Sequence, residues 1–287
     1  MVPDIDLAWR RGIRPELPIP VSDWADRHRI LPPTSAEPGR WATSRTPYLR
    51  AVMDALSTAS PYERVVLMKG AQTGGSEAGL NWLGYIIQNA PGIAMLVMPS
   101  LDMVRRNTTV RIDPLIEATP ALRELVAAPR SRDAGNSLFR KSFPGGQLVM
   151  TGANSAVGLR STPVRYLFLD EVDGYPGDAD GEGDPVDLAI QRTATFRGRR
   201  KIYMVSTPTL KGHSRIEAAF EHSDRRFYHV PCLHCGDIAP ITWARIRWPE
   251  GRRDAAYLVC EACGGIHHEH DKPRLLAAGE WRPTAPG

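Results

Sequence analysis

The sequence predicts an α/β fold, a mostly parallel central sheet carrying a phosphate-binding loop, followed by a small zinc ribbon. Three observations predict it. From residue 63 to about 230, short β-rich runs alternate with helical ones, the pattern of βαβ units. The first of these runs is followed by a glycine-rich loop, KGAQTGGS at 69–76, which opens a helical stretch. Beyond residue 230, all four cysteines fall in two C-x-x-C pairs.

In chain order, residues 1–62 are rich in Pro and Trp, and LPPTSAEPGRW reads as an extended, irregular arm. Residues 63–230 form the expected core. Its strands are RVVLMK (64–69), IAMLVMP (93–99), QLVMTGA, RYLFLD (165–170) and KIYMVST (201–207). Between the first two, SEAGLNWLGYIIQ carries Leu80, Leu83 and Ile87 at helical spacing. DLAIQRTATF and SRIEAAFEHS are further predicted helices. Residues 231–287 hold the cysteines.

Composition narrows the class. A chain of 287 residues has room for one large or two modest domains. Hydrophobic residues make up 42% and charged residues 24%, an ordinary soluble balance. The formal charge of +4 is compatible with a polyanionic partner without requiring one. No apolar run is long enough to cross a bilayer, and MVPDIDLAWRRG lacks an apolar signal segment, so a cytosolic location is expected.

The loop departs from the usual G-x-x-x-x-G-K-[ST] pattern, in which backbone N–H groups cradle phosphates and a late Lys neutralises them. Gly74 and Ser76 fit. Lys69 stands at the first Gly, and Gly75 where the Lys is expected. In the functional reading, Lys69, Gly70, Ala71, Gln72, Thr73, Gly74, Gly75 and Ser76 form the cradle. Lys69 then reaches the phosphates from the strand end, and Ser76 offers its hydroxyl to Mg²⁺. Read alone, the segment is equally a tight strand-to-helix turn with a solvated Lys.

The apolar run YLFLDEVD shifts that balance, because it ends in adjacent carboxylates. Neighbouring strand residues face opposite ways, so Asp170 can hold Mg²⁺ while Glu171 orients or deprotonates an attacking water. Alone, two solvated acids at a strand end are common; paired with a phosphate loop they favour an ATPase. VSTPT at 205–209 ends another strand, where Ser206 and Thr207 are placed to sense a γ-phosphate. Unaided, it reads as a Thr-Pro turn.

CLHC (232–235) and CEAC (260–263) are separated by 24 residues, room for a hairpin around PITWARIRW. Two thiolates from each pair, Cys232, Cys235, Cys260 and Cys263, would complete one tetrahedral Zn²⁺ site with no open position, so the predicted zinc is structural; free thiols or a disulfide are the alternative. Gly236, Gly264 and Gly265 suit the turns that follow.

Taken in order, PGRWATSRTPYLRAVMDAL, VVLMKGAQTGGSEAGLNW, GLRSTPVRYLFLDEVDGYP, STPT and the C-x-x-C pairs resemble the large terminase subunit of tailed bacteriophages, in its lambda-like GpA branch, from about residue 30 onward. The resemblance implies an ASCE-type P-loop ATPase that hydrolyses Mg-ATP to drive double-stranded DNA into a capsid. It makes Lys69 the relocated phosphate lysine, Asp170 and Glu171 the metal-binding and catalytic acids, and Ser206, Thr207 and Thr209 the coupling motif. Tyr48 matches an adenine-contacting position, and Arg160 lies where related motors keep an arginine finger. Implied partners are double-stranded DNA, a small terminase subunit and the portal protein of the procapsid. A homo-oligomeric ring acting in the host cytoplasm, transiently at the portal, is implied too. Two features depart from the family. Gln72 stands where Arg is frequent, and no RNase H-like nuclease segment follows the ribbon, so nuclease activity is not expected of this chain. The alternatives are a helicase-like DNA-dependent ATPase, which lacks its further motifs here, and a non-catalytic zinc-ribbon DNA-binding remnant.

Overall fold

The computed structural model describes residues 18–126 and 136–286. They form two compact units, one built from residues up to Trp41 with Val52–Ala219, the other from Ala42–Ala51 with Phe220 onward.

The first unit opens with a short antiparallel ladder of β1 (Ile30–Leu31) and β2 (Gly39–Arg40). Its main sheet contains β3 (Arg64–Met68), β4 (Ile93–Met98), β5 (Asn136–Ser137), β6 (Arg140–Phe143), β7 (Gly146–Gly152), β8 (Tyr166–Asp170) and β9 (Lys201–Ser206). Their spatial order is β3-β9-β8-β4-β7-β6-β5. The pairings from β3 through β7 are parallel, and those of β6 with β7 and β5 are antiparallel. Every residue of β8 and β9 is buried, as expected for central strands covered on both faces. From β3 the chain crosses to β4, three places further on, leaving a gap that β8 and β9 later fill. The strand carrying Ser206 is thereby inserted between the strand of the phosphate loop and the strand of the acids.

The helix Gly75–Gln88 makes this crossover, burying Leu80, Leu83 and Ile87. It lies so close to the sheet that a Cβ at Gly79 would fall 2.1 Å from the Phe168 ring. Of the predicted 1–62 arm, residues 1–17 lie outside the described residues, and 18–62 are less irregular than their Pro content predicts. Val21–His28 is helical and buries Val21, Trp24 and Ala25, a helical spacing in a polar background. Tyr48–Ala55 is helical too. Of the predicted DLAIQRTATF helix, Pro185–Gln191 forms, and Ala194–Phe196 tightens to 3₁₀ after Thr193 Oγ1 bonds back to the Ile190 carbonyl at 2.7 Å.

The second unit holds two three-stranded antiparallel sheets. One is β11 (Ile238–Pro240), β10 (Phe227–Pro231) and β15 (Glu280–Arg282); the other is β12 (Ile246–Arg247), β13 (Tyr257–Val259) and β14 (Ile266–His267). Around PITWARIRW, Trp243–Arg245 makes a 3₁₀ turn, and Ile246–Arg247 then forms an antiparallel hairpin with β13. The core of this unit is small: Val230, Leu258 and Leu275, with Tyr228, Leu233, Ile246 and Leu276 packed on it.

Candidate functional site

Parallel register brings the predicted residues to one edge of the sheet. Val205 of β9 is level with Leu67 of β3 and with Asp170 of β8. One residue further on, Lys69 N donates to the Ser206 carbonyl (3.1 Å) and Glu171 N to the Val205 carbonyl (2.8 Å). Lys69, Glu171 and Thr207 thus leave three adjacent strand ends together. This is the carboxyl edge of the parallel strands, where open α/β sheets bind ligands.

Lys69 Nζ lies 3.3 Å from Glu171 Oε1 and 3.3 Å from Thr207 Oγ1. Its stem crosses the face of the loop helix. A Cβ at Gly75 would come 2.7 Å from Lys69 Cδ and 2.8 Å from Val205 Cγ2. The two departures from the usual loop pattern are therefore complementary, because the space a lysine at position 75 would occupy is filled by the lysine at 69. The loop reaches this geometry through Gln72 (φ 58°) and Gly74 (φ 81°), and Tyr203 Oη ties the helix start by donating to the Gly75 carbonyl at 2.9 Å.

Ser76 Oγ donates to Asp170 Oδ1 at 3.0 Å. Asp170 is 4% exposed, and burial pushes its carboxyl up to about 6, against the pull of the Ser76 hydrogen bond. The charges of Arg111 and Lys69 offset that burial only in part, and a buried carboxyl with a hydroxyl beside it fits a hard divalent ion with oxygen ligands. Glu171 sits in the left-handed region (φ 54°), uncommon for a residue with a side chain and a hallmark of strained functional positions.

Arg160 ends the short helix Ala156–Arg160, and its guanidinium pairs with Glu182 at 2.5 Å. Tyr48 belongs to the second unit, its ring edge-on to Tyr228 with centroids 6.0 Å apart and its carbonyl accepting from Trp281 Nε1 at 2.7 Å.

Several residues here are given no role by the motifs. Glu77, next to Ser76, accepts from Arg29 Nη2 (3.2 Å) and Arg111 Nη2 (2.8 Å). These three line a cavity of about 250 Å³ with Pro32, Leu80 and Val110 among its walls. Arg111 lies on a π-helical turn, Thr108–Ile112, a local form often found at functional sites. Asp173 gathers the Thr209 amide and hydroxyl on one oxygen and the Ile216 amide on the other, each at 2.9 Å. Burial would raise its carboxyl, but donors from Ile216, Ser214 and Thr209 hold it below its ordinary value.

In the second unit the four thiols converge, with their sulfurs all within 4.8 Å of one another. Cys232 Sγ to Cys263 Sγ and Cys235 Sγ to Cys260 Sγ are each 3.8 Å, the edge of a tetrahedron with zinc–sulfur arms of about 2.3 Å. The knuckles share one backbone pattern. Gly236 N donates to the Cys232 carbonyl and Gly264 N to the Cys260 carbonyl, both at 2.9 Å, and both glycines have positive φ. The cluster is compatible with one structural zinc.

A parallel sheet with the acid strand set apart from the phosphate loop by an inserted strand defines a P-loop ATPase of the ASCE class. The chain belongs to the family of phage terminase large subunit gpA ATPase domains, whose model matches residues 35–281. It is 27% identical over 277 residues to the terminase large subunit of Enterobacteria phage P21, an alignment covering 92% of this chain and 42% of that protein. The chain therefore spans less than half the length of that relative. Among solved structures, the HK97 bacteriophage large terminase is similar at 13% identity and a TM-score of 0.55, over 70% of this chain and 40% of that one. The Thermus phage P74-26 large terminase ATPase domain aligns at 18% identity and a TM-score of 0.39, over 54% of this chain and 64% of that one. Neither the helicase-like nor the non-catalytic alternative is favoured by a family match of this extent. Among the described residues, no helix is long and apolar enough to cross a membrane.

Proposed function

We propose that this ATPase domain is the motor of a DNA-packaging terminase, hydrolysing Mg-ATP to translocate double-stranded DNA through a portal. The meeting of Lys69, Ser76, Asp170, Glu171 and Thr207 at one sheet edge carries this reading. Bound Mg²⁺ would neutralise charge on the β- and γ-phosphates. Ser76 and Asp170 would hold it, and Lys69 would exchange Glu171 and Thr207 for phosphate oxygens. That exchange frees Glu171 to orient the attacking water and frees Thr207 to register the γ-phosphate. The four cysteines would bind one zinc per chain and shape the ribbon. A small terminase subunit, a portal and a ring of copies in the host cytoplasm are the partners and setting that go with this role.

Glu171→Gln tests the assignment. It should retain ATP affinity and lose about 10²–10⁴-fold in turnover, the usual range for a general base. Hydrolysis at the parental rate would reject it. Tyr48 is the proposed adenine contact, and unchanged ATP affinity in Tyr48→Ala would assign the base elsewhere, the Glu77 cavity being the open alternative. For Arg160 the proposal is a finger in trans, released from Glu182 within the ring and worth about 10³–10⁵ in rate. Mixing Arg160→Ala chains with Glu171→Gln chains should then restore part of the activity. Co-assembly without recovery would show that Arg160 does not act across the ring.

A further inference from the structure

Two residues past the catalytic glutamate, the acid strand's turn is tied to the segment that follows β9. Asp173 lies in the 3₁₀ turn Val172–Gly174, which begins directly after Glu171. Its amide donates to Ser206 Oγ at 3.2 Å. Its Oδ2 accepts from both the amide and the hydroxyl of Thr209, and its Oδ1 from the amide of Ile216, in the first turn of the helix Arg215–Glu221. One carboxylate thus fixes both ends of the 207–216 segment to the turn that aims Glu171. Between those ends residues 208–213 are exposed, Leu210 at 72%, while Arg215 at the helix start donates to the Tyr175 and Pro176 carbonyls and to Asp184, so Asp173 and Arg215 together are what tie this segment to the turn.

At the other side of the same turn, Lys69 bridges Glu171 and Thr207. Phosphate that draws Lys69 away releases both together. Glu171 holds a left-handed backbone conformation (φ 54°) that is strained for a residue with a side chain, so its turn is placed to shift when that contact breaks. Any movement of the turn is carried two residues on to Asp173, and through Asp173 to Thr209 and the helix.

We propose that Asp173 is the positioning residue that couples the turn of Glu171 to the 207–216 segment, passing nucleotide state to the helix Arg215–Glu221. This rests on the reading of the sheet edge as an ATP site. It departs from the coupling motif, because Ser206, Thr207 and Thr209 then act through a carboxylate on the turn that follows the acid strand. A solely structural Asp173 would hold the helix start equally in every nucleotide state.

Hydrogen exchange of residues 207–221 in the intact 287-residue chain, with and without Mg-ATPγS, tests the difference. The unaltered chain should show at least about a fivefold change in exchange on binding. Asp173→Asn puts an amide group where one of the donors points, and should lose that change while its affinity for Mg-ATPγS stays within about threefold. Its kcat should fall about tenfold with KM unchanged, the pattern of an interaction made beyond the ground state. Thr209→Val, which removes one donor and keeps the carboxylate, should show a reduced response; it also carries the test if Asp173→Asn fails to fold. A full exchange response in Asp173→Asn, or in Thr209→Val where the first variant does not fold, would overturn the role of Asp173 and leave the ATP site standing. No binding of Mg-ATPγS by the unaltered chain would overturn both.

Discussion

The unit that holds the parallel sheet buries a continuous apolar core against it, including Met95, Val97, Leu167, Leu169, Ile202 and Met204. The cysteine unit centres on Val230, Leu258 and Leu275. The first can fold on hydrophobic burial, and its site is a by-product of strand register: once β3, β9 and β8 pair in parallel, Lys69, Thr207 and Glu171 must emerge side by side. The second has little apolar area for that, and on the proposed reading metal binding by its four sulfurs would contribute what the core does not. One unit would then use its core to position chemistry, and the other coordination to make up for a core.

Metal removal should separate the two most sharply. Metal analysis of the purified protein should find about one zinc per chain. Structural zinc contributes roughly 10–16 kcal/mol of apparent binding energy in small domains, so chelation should abolish exchange protection around 232–265 and leave β4, β8 and β9 protected. A metal-free chain with an ordered cysteine unit would break the comparison.

The converse perturbation belongs to the sheet. Gly79→Ala sets a methyl group into the Phe168 ring and should destabilise the first unit by about 1–3 kcal/mol, lowering its melting temperature without releasing zinc. Loss of zinc in step with the sheet would show that the units do not melt separately.

The smallest expected effect is in pH. Burial raises the Asp170 carboxyl from its ordinary 3.8 to about 6, so between those values the nucleotide-free folded chain holds more protons than the unfolded one. Its stability should therefore fall as pH rises through this window. Mg²⁺ binding needs the ionised form and should run the other way, about tenfold weaker at pH 5 than at pH 7. Isothermal titration of Mg-ATP across this range checks the sign, and a flat profile would show that Asp170 is already ionised.

Much of this was readable in the sequence for a physical reason. Central parallel strands are continuous apolar runs, so RYLFLD and KIYMVST announce themselves, and the polar residues that end them stand out as the site. The cysteines are legible because thiolate spacing is set by the metal. What stayed hidden depends on long-range geometry. Asp173 is one more acid in a turn until β9 brings Thr209 and Ile216 to it. Glu77, Arg29 and Arg111 are ordinary charges until the chain folds them around one cavity. The helices over 101–118 mix charged and β-branched residues around a π turn, which blurs their period. The N-terminal helix was masked by surrounding prolines that lie outside Val21–His28.

The central claim is that Lys69 replaces the late lysine of the usual loop, and exchanging the two positions tests it directly. Lys69→Ala should lose ATP affinity by at least about tenfold, and Gly75→Lys alone should also be impaired, because the new side chain meets the Lys69 stem. With Lys69→Ala and Gly75→Lys combined, the contact with the Lys69 stem is gone, that with Val205 Cγ2 alone is left for the buried core to absorb, and a cation again faces the phosphates. Isothermal titration with Mg-ATP should then show tighter binding in the double variant than in either single one. A double variant no better than Lys69→Ala, or a Lys69→Ala chain that binds ATP like the parent, would contradict the relocated lysine.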